Sequence, residues 1–468
     1  MAKETYDKKE LFESMPIPKA LATLAIPTII SQMINVIYNM VDTFFIGRTG
    51  NSYMLAATTL TMTMTFLCVA FSNLFGLGGG SLVARLLGAQ RPDEAKSVSA
   101  FSIYGAIAIS IVYSALIAIF MDPVLVFLGA SPDTIGFTRQ YTVYVVVIGT
   151  VFTTLSITMA HLLRNTGNAS KASIGLSGGG ILNMFLDPLF MFVILPKGQE
   201  VVGAAIATLL SNICSFIYLF IQVVKASRTA PLSFRPSDAR KVKKDNVKKL
   251  FAVGVPSALL SAFFDIANIC ANQLAAAHSD VTLAALGIVM KIERIPNGVN
   301  VGIGQGMLPI VAYNYASGNH KRMREAIKVT RIIGLITCAV SICLLEIFAK
   351  PITNFFLSTR GGDPSLAIAT VTVASVFLRM RCTASPFMFL SYSNSYIMQA
   401  TGHGGATLLH AFAREVIFYI PCLFLLDRVM GQNGLAAALP VGECFGAIVG
   451  LVLVHYILKK AEQKKSGI

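Results

Sequence analysis

The chain has 468 residues, 54% of them hydrophobic and 13% charged, with 38 Lys and Arg against 23 Asp and Glu for a net charge of +15. A soluble domain carries about 25% charged residues, so this composition, with a mean hydropathy of +0.67, excludes one and points to an all-α polytopic membrane protein. The eight cysteines lie in apolar stretches with no CxxC pair, and the six histidines are scattered without HExxH. A disulfide framework, a zinc site and an intramembrane metalloenzyme are thereby excluded, and no metal or other cofactor is expected.

Residues 1–19 mix both charge signs and have no signal-like apolar core, which predicts a cytoplasmic N-terminal segment rather than a cleavable leader. Twelve apolar stretches follow, each long enough to cross a bilayer as a helix: 20–46, 54–86, 97–121, 140–163, 172–195, 201–224, 250–277, 283–315, 327–349, 367–398, 405–426 and 434–458. They divide into a six-helix lobe over 20–224, a basic linker over 225–249, a second six-helix lobe over 250–458 and a tail over 459–468. Lys and Arg favour the cytoplasmic side of short loops. Segments on the side of the N-terminus, span ends included, hold 27 Lys and Arg against 10 Asp and Glu, while the opposite loops hold 6 against 6. Both termini are therefore expected in the cytoplasm. The linker alone has nine basic and two acidic residues. Its charge suits anionic lipid headgroups and topology, with no nucleic acid implied.

The two halves repeat each other at a spacing of about 230 residues, a pattern common in transporters. "LATLAIPTIISQMINVIYNM" in the first span compares with "LFAVGVPSALLSAFFDIANI" in the seventh, setting Pro27 against Pro256 and Asn39 against Asn268. "FGLGGGSLVARLLGA" compares with "IGQGMLPIVAYNYAS", "RNTGN" (164–168) with "QATGH" (399–403), and Pro188 with Pro421. Six spans per half give both repeats the same orientation, so a substrate pathway is expected between them.

Ionisable residues inside spans mark function by default. Seven acids fall there: Asp42, Asp187, Asp265, Glu293, Glu346, Glu415 and Glu443; five bases accompany them: Lys291, Arg294, Arg379, Arg381 and Arg414. Asn35, Asn39 and Asp42 share one face of the first helix at i, i+4 and i+7, and Asn183 and Asp187 share a face of the fifth. At roughly 1.5 Å per residue, Asp42 lies about 9 Å below Arg48 and Asp187 about 15 Å below Lys197, so the two acids can share a depth. Two carboxylates in a low-dielectric cavity cannot both be ionised cheaply, and such a pair gains and loses protons as a coupled unit. Asp42, Asn183, Asp187 and a hydroxyl such as Thr208 also offer the hard oxygens that sodium accepts.

The strings "IPTIISQMINVIYNMVDTFFIGRTG", "NLFGLGGGSLVARLLGA", "GGILNMFLDPLFMF", "GVPSALLSAFFD" and "GIGQGMLPIVAYNYASGN", in this order and spacing, resemble the multidrug and toxic compound extrusion (MATE) family, nearest its MepA-like bacterial branch. The resemblance covers nearly the whole chain. It implies two six-helix lobes in a V around a cleft that opens alternately to either side, and cation-coupled export of amphiphilic, cationic compounds from a multi-pass protein of the cell membrane. The expected coupling ion is H+ or Na+, the expected partners are small amphiphiles and membrane lipids, and the expected state is a monomer. The resemblance supports Asp42, Asn183 and Asp187 as coupling residues, with Asn39 and Thr208 beside them. Asn35, Tyr38, Tyr141, Met33, Met184, Asp265, Asn268 and Glu293 are expected along the substrate pathway. The hydroxyl-rich "TVFTTLSITMAHLL" departs from the Asn-rich fourth helix of the family and leaves the ion open. In the second lobe, Arg379 and Arg381 are expected to form buried ion pairs with the charges of Lys291, Glu293 and Arg294 rather than to touch substrate. Asp265 is expected to balance Arg379 or Arg381, Glu346 and Glu415 are expected near span ends in solvated or capping positions, and Glu443 has no expected role. Arg294, Arg379 and Arg381 keep open an alternative, a flippase for lipid-linked precursors of the same wider superfamily.

Overall fold

The structure is a computed structural model that describes residues 9–49, 51–358 and 364–463. Every regular element among them is a helix. We number the long helices α1 (Ile17–Arg48), α2 (Ser52–Gly88), α3 (Pro92–Ile119), α4 (Ile135–Asn165), α5 (Ala169–Ile194), α6 (Glu200–Ala226), α7 (Lys244–His278), α8 (Asp280–Ala316), α9 (His320–Ser358), α10 (Pro364–Cys382), α11 (Ser385–Thr401), α12 (Gly404–Met430) and α13 (Gln432–Gln463). Among the described residues ten of these are long and apolar enough to cross a membrane, and α10 with α11, bent by 49° at their break, make an eleventh if taken as one span. The 37-residue α8 stays outside that set. It carries Lys291, Glu293 and Arg294 together with the amides Asn297, Asn300 and Gln305, which dilute its apolar stretch.

Packing follows the sequence repeat. In the first half α1 packs on α5, α2 on α4 and α5 on α6; in the second, α7 packs on α12, α8 on α11 and α12 on α13. The two bundles meet through α1 against α8 and α2 against α7. The meeting points are also related by the repeat. A Cβ on Gly306 of α8 would lie 2.7 Å from the Ala25 backbone of α1, and one on Gly254 of α7 would collide with the Leu74 carbonyl of α2. Only a residue without a side chain allows backbones that close.

These contacts fall toward one end of the molecule, where the segment around Phe12, the last described turns of α13 and the basic linker also gather. Arg324 pairs with Glu462 of α13 at 2.6 Å, and Lys243 pairs with Glu94 of α3 at 2.9 Å. The segment around Phe12 is wedged there: its ring stacks on Tyr313 at 5.1 Å and its carbonyl accepts hydrogen bonds from Arg322 and Asn314. We call this the closed end.

Three helices loosen into π-helical turns, at Val143–Ile148 in α4, Phe190–Ile194 in α5 and Ala413–Tyr419 in α12. Pro188 and Pro421 sit next to the last two, where a missing backbone N–H interrupts the ordinary i to i−4 ladder. Pro27 and Pro256 lie inside α1 and α7, and α9 kinks at Phe348, three residues before Pro351.

Candidate functional site

In the first bundle, α1, α4, α5 and α6 bring a set of oxygens together. Asp187 is fully buried and Asn183, one turn earlier, is nearly so. The Asn183 amide donates to Asp187 Oδ1 at 3.1 Å and to Thr208 Oγ1 of α6 at 3.4 Å. Asp42 lies within electrostatic range of Asp187, and Tyr38 and Tyr141 feel both carboxylates, Tyr141 through a position facing Thr208. Asp42 Oδ1, Asp187 Oδ2 and Asn183 Oδ1 are buried with no hydrogen-bond donor. Oxygens left so in an apolar bundle suit a proton shared between the acids or a hard cation among them. Asn39 is bonded along its own helix, its amide donating to the Asn35 carbonyl at 2.7 Å and to Asn35 Oδ1 at 3.0 Å, and its side chain also meets Tyr38. Among the described residues no group of three or more His, Cys, Asp or Glu is placed to hold a metal ion.

A cavity of about 540 Å³ lies between the bundles, above the closed end. Asn35, Tyr38, Asn183, Thr208 and Asp265 line it, so the buried oxygens of Asp42, Asn183 and Asp187 sit just behind its wall. Met33, Met184, Tyr141, Asn268 and Glu293 do not. Met33 is used in the seal, against the Gly298 backbone of α8. Met184 follows Asn183 by one residue, about 100° round the helix from the lining face. Tyr141 is buried behind the wall with the acids, and Glu293 is consumed by an ion pair.

That pairing is the buried ion pair expected between the charges of α8 and the arginines of the tenth span, and it takes Glu293 off the substrate pathway; the expectations for Asp265, Glu415 and Glu443 are corrected. Arg381 holds Glu293 through two bonds of 2.9 Å, and Arg379 lies 3.7 Å from Glu346. Asp265 balances neither arginine; the cation whose field it feels is Arg294 of the neighbouring α8. Glu415 is not a solvated capping residue. It is buried in the π-helical turn of α12, 3.4 Å from Arg414, whose guanidinium balances its charge there. Glu443 acquires a partner: Arg414 grips it through Nε at 2.8 and 2.9 Å, beneath the Tyr392 ring.

Sequence reasoning missed Arg164. It stands one residue beyond the predicted fourth span and was counted among loop charges. In the structure it is 3% exposed and lines the cavity. Its repeat mate Gln399 lines the cavity too, and the match of "RNTGN" to "QATGH" could have signalled the pair.

Long apolar helices in two bundles with a polar-walled cavity between them define a multi-span membrane transporter. The MatE family model matches residues 27–189 and 256–425, two runs that start at Pro27 and Pro256. The multidrug export protein MepA of Staphylococcus haemolyticus (strain JCSC1435) is 28% identical over 98% of this chain and 97% of its own. MepA of Staphylococcus aureus (strain N315) is 29% identical over 95% of each. A crystal structure of MATE in complex with MaL6 superposes with a TM-score of 0.90 at 20% identity, covering 97% of this chain and 99% of that one. An outward-facing multidrug resistance MATE transporter of the MOP superfamily gives 0.89 at 20% identity, covering 97% and 98%. The chain belongs to the MatE family of multidrug efflux transporters. It is a multi-pass protein of the cell membrane, and its family consists of transporters, not enzymes.

Proposed function

We propose that this protein is an antiporter that expels amphiphilic, cationic compounds in exchange for protons by alternating access. The observation that carries the reading is the oxygen set of Asp42, Asp187 and Asn183, buried, without donors, and separated from the cavity by little more than the Asn183 and Thr208 side chains. A proton that binds there neutralises the site, and a cationic cargo in the cavity competes with that proton for the same negative field. Export and uptake are thus exclusive at one place. Protons are favoured over sodium because, among the described residues, the second bundle offers no matching oxygen cage: Glu293 and Glu443 are held by arginines.

The chain crosses the membrane twelve times in two six-helix lobes of a V, with α8 as the eighth crossing and its Glu293 paired to Arg381 inside the protein. Basic residues place the closed end, with both termini, in the cytoplasm. The conformation is then sealed inward and open outward. One chain holds both bundles and the whole cavity, so a monomer suffices.

The test uses everted vesicles with the protein and a fluorescent lipophilic cation. A proton gradient alone should drive accumulation, and a sodium gradient alone should not. Accumulation driven by sodium without a pH gradient would overturn proton coupling, and accumulation driven by neither would overturn antiport.

A further inference from the structure

We propose that Arg164 at the floor of the cavity receives an anionic group of the cargo, so that the preferred substrates are zwitterionic amphiphiles rather than simple cations. The inference rests on the transport reading above and narrows its substrate class.

Arg164 ends α4, and a cation in the last turn of a helix is ordinarily explained by the helix dipole and the free carbonyls there. Such residues are usually exposed. Arg164 is 3% exposed, its Nε has no hydrogen-bond partner, its Nη1 lies 3.4 Å from His161 Nδ1, and the Tyr396 hydroxyl lies within its electrostatic range. Among the described residues no carboxylate pairs with it. A buried guanidinium without an anion is costly and is retained where something else supplies the charge.

The surroundings give that partner a shape. From the opposite bundle, Tyr396, Gln305 and Gln399 line the same cavity. The amide oxygens of Gln305 and Gln399 are buried without a donor; Gln305 is bonded to Tyr396, and each amide also carries an NH2 group able to donate to an oxygen of the cargo. Arg414, the other arginine on the wall, is already occupied by Glu443 and Glu415. Apolar side chains, Phe66 and Phe264 among them, form the middle of the cavity.

The acid end lies farther up. A Cβ on Gly80 would touch the Asn165 amide beside Arg164, while Gly78, two residues earlier in α2, abuts Gly254 of α7. Arg164 therefore stands near the level of Gly254. Asp265 is eleven residues further along α7, on the order of 15 Å at 1.5 Å per residue. A flat aromatic molecule with an ammonium at one end and a carboxylate at the other spans that distance once the reach of the arginine is counted. The carboxylate accepts two donors from the guanidinium fork, and the ammonium faces the acids.

The probes are a zwitterionic rhodamine with a free benzoate and its methyl ester, a cation with the same fluorophore. Binding to the purified full chain in phosphatidylcholine nanodiscs is read by fluorescence anisotropy. The wild type should bind the acid at least about tenfold more tightly than the ester, the worth of one charge-assisted bond. Arg164→Gln, which installs the repeat mate, should erase that difference while leaving ester affinity within about twofold. Arg164→Lys should keep a reduced preference and guards against a misfolded Gln variant. Free sodium benzoate should displace the acid but not the ester. Equal binding of both dyes by the wild type, or equal weakening of both by Arg164→Gln, would overturn the proposal. So would benzoate leaving the acid dye in place. A preference that appears only when phosphatidylglycerol replaces phosphatidylcholine would also overturn it, assigning the arginine to a lipid phosphate. Because binding needs no gradient, these results stand apart from the vesicle assay: loss of transport with the acid preference intact would reject antiport and not the subsite.

Discussion

Arg381 of α10 and Glu293 of α8 face each other in a parallel, two-bond pair, each bond 2.9 Å long, with the arginine side chain 3% and the glutamate 12% exposed. The pair ties together two helices whose sequence positions are 88 residues apart. It also makes a charged α8 tolerable inside an apolar protein, since a guanidinium fork and a carboxylate satisfy each other's charge and geometry.

Removal of one partner strands the other. Glu293→Gln or Arg381→Met should each destabilise the protein by about 3–5 kcal/mol, while the double variant Glu293→Leu with Arg381→Met should recover most of the loss. Thermal unfolding of the detergent-solubilised variants measures this. Single variants as stable as the wild type would show that the pair carries no structural weight.

The fold was legible where one residue type decides the local physics. Apolar length predicted the helices, and Pro27, Pro256, Pro188 and Pro421 marked interruptions because proline lacks a backbone donor wherever it stands. Asp42, Asn183 and Asp187 stood out because carboxylates are rare in apolar spans, and helical spacing alone put Asn183 beside Asp187. The second bundle was less legible because its charges are settled by tertiary pairing. Nothing local in "AREVIFY" shows that Arg414 reaches Glu443, 29 residues on, or that a π-helical turn buries Glu415 with it. Arg164 escaped notice because a span boundary one residue too early turns a buried guanidinium into a loop charge.

The closed end depends on backbone contact. Gly254→Val places a branched side chain against the Leu74 carbonyl, and overpacking of this kind costs about 1–3 kcal/mol. The seal should loosen, and hydrogen exchange in the α2 and α7 segments around Leu74 and Gly254 should quicken by roughly tenfold or more. Unchanged exchange there, in a variant shown to carry valine, would mean that the two bundles do not rely on this contact.

Asp265 lines the cavity, where the balancing charge it feels is that of Arg294 and the Glu415 carboxylate lies within its electrostatic range. Asp265→Asn should therefore alter which cargo is accepted: the KM for a fluorescent cation should rise several-fold while the dependence on the ion gradient persists. A fall in kcat with loss of gradient dependence would move Asp265 from the cargo end of the cavity into the coupling machinery.

The acid pair decides the mechanism. Asp42→Asn and Asp187→Asn each preserve size and part of the hydrogen bonding, so both variants should insert and fold; Asp187→Asn in particular keeps an oxygen for the Asn183 amide, whose bond to Oδ1 is 3.1 Å. On the proposed proton exchange, each removes one member of the unit that takes up and releases the proton, and the remaining acid lacks the neighbour whose charge makes its protonation responsive to the gradient. Efflux normalised to folded protein should accordingly fall to the background of empty vesicles in both, at inside and outside pH values for which the wild type pumps. The double variant should be no worse than either single one, because residues that act as a unit are lost together. Gradient-driven efflux that survives in Asp42→Asn but vanishes in Asp265→Asn would relocate coupling to the second bundle.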